Sequence, residues 1–263
     1  MSRCLLLTLI ALTMGCPESA LGQIVNVQQL AGKPIKPGLT AQAAVTGDWL
    51  SGNSQLATAG GSGSVFWRAG PWLSLVTVAG AYGRKGSNGK WAEDPFQSKI
   101  FEHVRVRREL QDGLSLEGFA QHEYDRWRRL KLRMVTGGGV RYDMDAAKGL
   151  HLAGGVAYMA QWEALLKPQP VDSTGLVLEH RVSSYFVGAA DLSENSALLL
   201  TVYVQPKISD VMDLRGLVDI AVVLAASKAV ALRVNWALGY DTRPPATVRG
   251  YDTTGKVALV VGF

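Results

Sequence analysis

The strongest constraint in this sequence is the alternation of its last stretch, Lys256–Phe263, in which every second side chain is large and apolar. Val257, Leu259, Val261 and Phe263 fall on one face of an extended chain, and mostly small residues fall on the other. Successive side chains of a β-strand point to opposite faces of its sheet. This pattern predicts a strand with one wholly apolar face, which is typical of a membrane β-barrel.

The same alternation recurs along most of the chain. We predict an all-β fold, a single antiparallel transmembrane β-barrel of about twelve strands that occupies residues 38–263. The predicted strands are 38–50, 55–68, 72–84, 97–110, 114–126, 130–144, 150–164, 176–192, 196–207, 214–226, 229–242 and 254–263.

The first 22 residues have the pattern of a secretory signal peptide. Arg3 precedes a short apolar run, Leu5–Met14, and small residues lead up to Gly22. The run is too short to span a bilayer, which needs about 20 apolar residues. We therefore expect a signal peptide at 1–22 and a periplasmic lead-in at 23–37. Lipoprotein processing at Cys16 is the alternative, although the residues before it match that signal poorly.

Cysteine content and charge exclude several function classes. Both cysteines, Cys4 and Cys16, lie in the predicted signal peptide, so the mature chain would have no disulfide, thiolate nucleophile or cysteine-bound metal. The net charge of +5 is compatible with nucleic acid, but the export signal and a hydrophobic content of 48% favour a membrane protein. We expect no nucleic-acid partner and no cofactor.

The connections between predicted strands alternate in length. Those after even-numbered strands are short, such as Gln111–Gly113 and Ser193–Asn195. Those after odd-numbered strands are mostly longer, such as Arg84–Phe96, Ile208–Asp213 and Arg243–Thr253. Bacterial outer-membrane barrels have short periplasmic turns and longer outer loops. The alternation therefore predicts that both termini are periplasmic.

Aromatic residues cluster at the predicted strand ends rather than in the middles. Rings at both ends of an apolar band are expected at the two membrane interfaces. The predicted outer girdle is Trp49, Tyr82, Tyr124, Trp162 and Tyr240, and the predicted periplasmic girdle is Trp67, Trp72, Tyr142 and Phe263.

The fourth to sixth predicted strands carry most of the charge at alternate positions. A charge on the lipid face costs about 2–4 kcal/mol near the bilayer midplane, so we place these side chains in the lumen. The predicted lumen network is His103, Arg105, Arg107, Glu109, Glu117, Glu123, Lys131, Arg133 and Arg141. Two hypotheses stay open, a lining selective for anionic solutes and a packed ion-pair network that fills a narrow lumen.

Two further features have alternative interpretations. The basic run 125–129 falls in a predicted outer loop, where its arginines could bind lipopolysaccharide phosphates or simply form a hydrated turn. His122 and His180 would face lipid near the outer rim, and Ser184 shares the face of His180. A lipid-modifying enzyme would need a group that orients such a histidine, and the sequence offers no clear one.

The stretch 101–142 resembles a known family. Its motifs are Leu-Ser-Leu-Glu-Gly-Phe-Ala-Gln at 114–121, Arg-Arg-Leu-Lys-Leu-Arg at 128–133, and the glycine run at 137–139 followed by Arg141-Tyr142. These are similar to the YdiY-like salt-induced outer-membrane proteins, domain of unknown function 481. The resemblance implies an outer-membrane barrel and carries no catalytic residues.

The end of the chain also resembles a known signal. A last strand that closes on Phe263 is similar to the C-terminal signal read by the barrel-assembly machinery, which would be a partner beside outer-membrane lipid and lipopolysaccharide. We therefore expect a non-enzymatic outer-membrane protein, structural or related to envelope stress, or a narrow pore. The alternatives are an outer-membrane lipid-modifying enzyme and a soluble periplasmic binding barrel.

Overall fold

The computed structural model describes residues 37–51, 54–87, 89–227 and 230–261, and regular structure within them is β-strand. The predicted signal peptide at 1–22, the predicted lead-in up to residue 36 and Phe263 lie outside the described residues. No helix in the described ranges is long and apolar enough to cross a membrane.

The described strands follow one another with short connections. They are β1 (Gly38–Leu50), β2 (Ser54–Ala69), β3 (Trp72–Ser87), β4 (Lys90–Trp91), β5 (Gln97–Gln111), β6 (Leu114–Asp125), β7 (Leu130–Ala147), β8 (Leu150–Leu165), β9 (Val177–Ser193), β10 (Ser196–Lys207), β11 (Asp210–Ala225), β12 (Val230–Asp241) and β13 (Tyr251–Val261).

Each long strand pairs antiparallel with the next long strand along the chain, so one meander runs from β1 to β13. The two-residue β4 lies off this path and pairs with β3. The prediction of an all-β antiparallel sheet is confirmed. Each of the twelve long strands overlaps one predicted strand, with ends that differ by up to four residues, because each strand carries its own local alternation.

One predicted connection is wrong. We expected a loop over Ile208–Asp213, but β11 begins at Asp210 and leaves a two-residue turn, Ile208–Ser209. The cause is a long-range contact, since Arg181 of β9 donates hydrogen bonds to the backbone carbonyl of Asp213 at 3.1 Å and to its carboxylate at 2.6 Å. These bonds hold the start of β11 against the sheet.

The sheet has one buried face and one exposed face. In β5, His103 and Arg105 are buried, whereas Val104 and Val106 between them are exposed. The sheet is strongly curled, because the hydroxyl of Tyr185 on β9 donates a hydrogen bond of 2.7 Å to Glu117 on β6, across the intervening β7 and β8. We call the concave buried side the inner face and the convex side the outer face.

The outer face is largely apolar. Soluble monomers rarely expose a continuous apolar patch larger than a few hundred Å². Here exposed apolar side chains repeat along nearly every long strand, among them Val65, Val78, Ile100, Val104, Leu116, Met134, Val140, Val156, Phe186 and Val204.

Aromatic rings mark both ends of this face. All but three of the nine residues predicted for the girdles are exposed; Tyr124 and Trp162 are half-buried, and Phe263 lies outside the described residues. Trp49 packs against Trp91 of β4, with ring centroids 6.1 Å apart, in a contact that the sequence did not predict. Trp236 is exposed in the middle of β12.

The two ends of the sheet differ in their connections. At one end, four connections are two-residue turns, at 70–71, 112–113, 148–149 and 194–195. At the other end, the segments 166–176 and 242–250 and the connection between β3 and β5, which contains β4, are longer. We call these the short-turn end and the long-loop end.

Crowding explains the glycine run at 137–139. A Cβ atom on Gly139 would lie 2.1 Å from the carbonyl oxygen of Val156 and 2.6 Å from the Cβ of Ala157. By contrast, a Cβ on Gly118, in the neighbouring β6, would come no closer than 3.9 Å to its nearest neighbour, the carbonyl oxygen of Gly137.

We expect Gly139→Ala to lower the free energy of unfolding by about 1–3 kcal/mol, because the added methyl group must displace backbone. The measurement is the urea midpoint of the protein in detergent micelles. Gly118→Ala is the matched control and should leave the midpoint unchanged. Equal midpoints for the two variants would contradict the crowding explanation.

Candidate functional site

The inner face is centred on Glu117 of β6, whose side chain is completely buried. One carboxylate oxygen lies 2.9 Å from Nη1 of Arg105, and the other accepts a hydrogen bond of 2.7 Å from the hydroxyl of Tyr185. Arg107, which stands opposite Glu117 in the ladder, approaches it only to 3.8 Å. A buried charge is tolerated when it is paired and hydrogen-bonded, and Glu117 meets both conditions.

Aromatic rings pack around this carboxylate. The guanidinium carbon of Arg105 lies 5.1 Å from the ring centroid of Phe119 and 5.9 Å from that of Tyr185. Arg141 contacts the ring of Tyr185 at 5.7 Å, and the rings of Tyr185 and Tyr203 are 5.4 Å apart. Cations over aromatic faces are attracted by the ring quadrupole, so these contacts add to the ion pairing.

His103 is packed between rings. It stacks on Phe101 at 6.2 Å and on Phe119 at 6.3 Å, and its side chain lies on the buried inner face. Its Nε2 accepts a long hydrogen bond of 3.5 Å from Nε of Arg105. This histidine therefore has a packing role in the charged cluster.

A second cluster lies nearer the long-loop end. The side-chain oxygen of Gln161 accepts hydrogen bonds from Arg133, at 3.1 and 2.9 Å, and from Arg215, at 2.9 Å. Glu123 lies 3.5 Å from Arg133, and Glu163 lies 3.3 Å from Arg215. A neutral amide therefore separates two arginines, and each arginine has a carboxylate beside it.

Arg181 links three strands in the same region. Its Nη1 donates to the carbonyls of Gln205 on β10 and Asp213 on β11, each at 3.1 Å. Its Nη2 donates to the carboxylates of Asp213, at 2.6 Å, and Glu179, at 2.9 Å. Lys207 lies 2.8 Å from Glu179 and completes the group.

Toward the short-turn end, the charges become more accessible. Arg141 makes two hydrogen bonds of 2.6 Å to the carboxylate of Asp143. His151 lies between Asp143, at 3.2 Å, and the exposed Asp145, at 3.0 Å.

The structure brings six of the nine predicted lumen residues together on the buried inner face. They are His103, Arg105, Glu117, Glu123, Arg133 and Arg141. Arg107 is partly exposed, and Glu109 is exposed beside Arg68 at 3.4 Å.

Lys131 departs from the expectation. In the ladder with β8, Leu130 pairs with Leu165 and Leu132 pairs with Ala164, so Lys131 is an extra residue at a bulge. The bulge shifts the alternation by one position, which buries Leu130 on the inner face and leaves Lys131 exposed.

The sequence missed the partners from later strands. Gln161, Arg181, Tyr185 and Arg215 are all buried on the inner face. The signal that could have found them is the parity of each strand, since every one of them occupies a position that points inward in its strand.

The basic run 125–129 is occupied by protein partners. Arg126 lies 2.7 Å from Asp94, and the buried Arg128 lies 3.6 Å from Glu123. Asp125 is itself buried and accepts a hydrogen bond from the backbone of Arg128. The arrangement of these side chains favours a structural turn over a phosphate site.

Arg129 joins three connections at the long-loop end. Its guanidinium donates to the carboxylate of Asp172 at 2.8 Å, to the carbonyl of Lys167 at 2.7 Å and to the carbonyl of Ala246. Asp172 in turn accepts a hydrogen bond of 2.8 Å from the backbone amide of Ala246. We call Arg129, Asp172 and Ala246 the loop latch.

Backbone strain coincides with the loop latch. In the described residues the non-glycine residues with positive φ are Arg129 at 57°, Lys167 at 48° and Thr247 at 67°, one in each of the three joined segments. Such conformations cost about 1–3 kcal/mol each and persist where surrounding contacts enforce them. The hydrogen bonds of the loop latch are the contacts that hold these three segments in place.

The two outward-facing histidines each have a partner. Nδ1 of His122 lies 3.0 Å from Glu102, which stands opposite it in the ladder, and Nδ1 of His180 lies 2.5 Å from the hydroxyl of Tyr158. A lipid-modifying triad also requires a nucleophile beside the imidazole. The described contacts join neither histidine to a serine or threonine hydroxyl.

We expect Asp172→Ala to release the segment 166–176, because it removes the ion pair with Arg129 and the bonds from two backbone amides. The measurement is limited proteolysis with thermolysin, which cuts before apolar residues such as the exposed Val171. Cleavage there should become severalfold faster. Asp94→Ala removes the exposed pair with Arg126 and is the control; equal rates for both variants would contradict the latch.

The latch should also be insensitive to mild acid. Hydrogen bonds from the backbone amides of Ala246 and Gln169, together with Arg129, hold the pKa of Asp172 below its ordinary value. A lowered carboxyl pKa stabilises the folded form above the unfolded pKa of about 3.9, and the effect is lost as the pH falls through the lower folded value. Thermolysin cleavage of the unmodified protein should therefore be equally slow at pH values well above 4.

Metal binding has no support in the described part of the chain. No group of three or more His, Cys, Asp or Glu side chains there is arranged to hold a metal ion.

Several solved structures are similar to this chain. They are the NanC porin (8% identity, 86% of this chain and 99% of that one, TM-score 0.49), the translocator domain of the autotransporter NalP from Neisseria meningitidis (13%, 89% and 92%, 0.46), and a Pseudomonas aeruginosa FadL homologue (8%, 84% and 72%, 0.37). These values are too low for any property of those proteins to be transferred.

A family model gives the decisive match. No curated protein sequence matches the chain significantly. The model described as "Protein of unknown function, DUF481" matches residues 43–263. The resemblance predicted from the motifs in 101–142 is thereby confirmed, and the chain belongs to the DUF481 family.

Proposed function

We propose that this chain is an outer-membrane β-barrel whose lumen is filled by its own side chains, and that its role in the envelope is structural. The observation that carries the proposal is the burial of the inner face. Gln161 is 0% exposed, Arg181 1% and Arg133 2%, whereas an open aqueous channel would hydrate inward-facing polar groups. Small barrels are commonly filled in this way, and wide channels need about 16 strands.

The outer face supports a membrane location. Its apolar side chains are exposed along nearly every strand, and its aromatic rings lie toward the two ends, as at lipid interfaces. A soluble periplasmic binding barrel would present this area to water, which is unfavourable by about 25 cal/mol for each Å². The lipids of the outer membrane are the partner that fits this face.

The strand count supports a periplasmic location for both termini. In an antiparallel meander of twelve long strands, β1 begins and β13 ends at the short-turn end. Short turns are periplasmic in bacterial barrels. Closure requires pairing between β1 and β13, which are the two ends of the described path. The assembly signal at Phe263 and contact with lipopolysaccharide stay predictions.

The orientation can be tested by cysteine labelling, because the mature chain is predicted to contain no cysteine. Ser173→Cys lies in the exposed segment 166–176, and Asp112→Cys lies in an exposed turn at the opposite end. A membrane-impermeant maleimide should label Ser173→Cys in intact cells and Asp112→Cys only after permeabilisation. The reverse pattern, or labelling of neither variant in the membrane fraction, would contradict the proposal.

Conductance tests the filled lumen. We expect the refolded protein to give no steady conductance in planar bilayers. Tyr185→Ala removes the ring that connects β9 to Glu117, so this variant should show openings. Tyr158→Ala, which removes an exposed ring from the outer face, should stay silent. Steady channels formed by the unmodified protein would favour the narrow pore instead.

A further inference from the structure

The charges nearest the short-turn side of Glu117 do not balance. Three guanidinium groups, those of Arg105, Arg107 and Arg141, lie with two carboxylates that are not exposed, Glu117 and Asp143. Tyr185 joins the two ion pairs, and the exposed Asp145 reaches the group only through His151. One positive charge is therefore in excess in a largely buried place. An uncompensated buried charge lowers the stability of the fold, so a counterion that binds it would be stabilising.

The excess charge belongs to Arg107. Glu117 is already held by Arg105 at 2.9 Å and by the hydroxyl of Tyr185 at 2.7 Å. Both carboxylate oxygens of Asp143 accept hydrogen bonds from Arg141, at 2.6 Å each. Arg107 keeps a distance of 3.8 Å to an oxygen that Arg105 occupies, and its own Nε makes no hydrogen bond in the described structure.

The position of Arg107 is accessible from one side. Its side chain is 13% exposed, between the fully buried Glu117 and the more open residues at the short-turn end, where His151 reaches 29% and Glu109 reaches 47%. Glu109 stands two residues further along on the same face, but it is paired with Arg68 and hydrated. Exposure therefore increases from Glu117 through Arg107 toward that end, which is the side from which a small solute would approach the guanidinium.

We infer that Arg107 is the centre of an anion-binding site on the inner face, which takes a small inorganic oxyanion such as phosphate or sulfate. The planar guanidinium presents parallel N–H donors that match two oxygens of an oxyanion. Arg141 adds positive charge beside it, and the carboxylates of Asp143 and Glu109 disfavour anions larger or more highly charged than these. The site does not depend on whether the lumen conducts.

The direct test is a phosphate titration of the refolded full chain in detergent micelles at constant ionic strength. The melting temperature is measured at each phosphate concentration. We expect a saturable rise that is lost in Arg107→Met and kept in Arg68→Met, which removes an exposed arginine at the same end. No saturable rise in the unmodified protein, or an equal rise in Arg107→Met, would overturn the inference.

A second comparison, in phosphate-free buffer, separates an anion site from a structural partner of Glu117. Arg105→Met removes the close partner of the buried carboxylate and should melt well below the unmodified protein. Arg107→Met removes a poorly paired charge and should melt at or above the unmodified protein. A loss in Arg107→Met as large as that in Arg105→Met would overturn the inference.

Arg107→Lys keeps the positive charge and serves as the test if Arg107→Met does not refold. Lysine binds anions as a point charge without the two-pronged geometry of arginine. Arg107→Lys should therefore require about tenfold more phosphate to reach half of the rise, which corresponds to 1.4 kcal/mol. A phosphate response identical to that of the unmodified protein would show that the guanidinium does not hold the anion.

Discussion

The structure depends on the pairing of charge on the inner face. Glu117 can be completely buried because Arg105 pairs with its charge and the hydroxyl of Tyr185 donates a hydrogen bond to it. Tyr185 comes from a strand three places away in the sheet, so the same contact also holds the sheet in its curled form. The outer face is largely apolar, so the charges of these strands are concentrated on the inner face.

The inner face changes in character from one end to the other. Near the long loops, Gln161 separates two arginines, and Arg181 has two carboxylates and two carbonyls around it. The loop latch joins three connections above this region. Near the short turns, His151 and Asp145 meet solvent, and Arg107 lacks a close partner. The inner face is therefore densely packed and held by loop contacts at the long-loop end, and it is more exposed to solvent at the short-turn end.

Most of the fold could be predicted because the evidence for each strand is local. Alternation over a dozen residues identifies a strand, and its parity identifies the inward side chains, as for Arg105 and Glu117. The predictions were wrong where a long-range contact or a β-bulge changed the pattern expected from the local sequence. Lys131 is exposed because a bulge shifts the alternation, and β11 begins early because Arg181 holds Asp213. Neither event leaves a mark in the neighbouring sequence.

The sequence by itself determined the strands, the polarity of the two faces and the family, since all three follow from the order of residue types along short segments. Only the tertiary structure decided which charges meet. Arg105 of the neighbouring β5 pairs with Glu117, but Tyr185 from β9 also donates a hydrogen bond to it, and Arg107 directly opposite stays poorly paired. The physical reason is that the curl of the sheet brings together side chains far apart in sequence, and ion pairs form by distance in space.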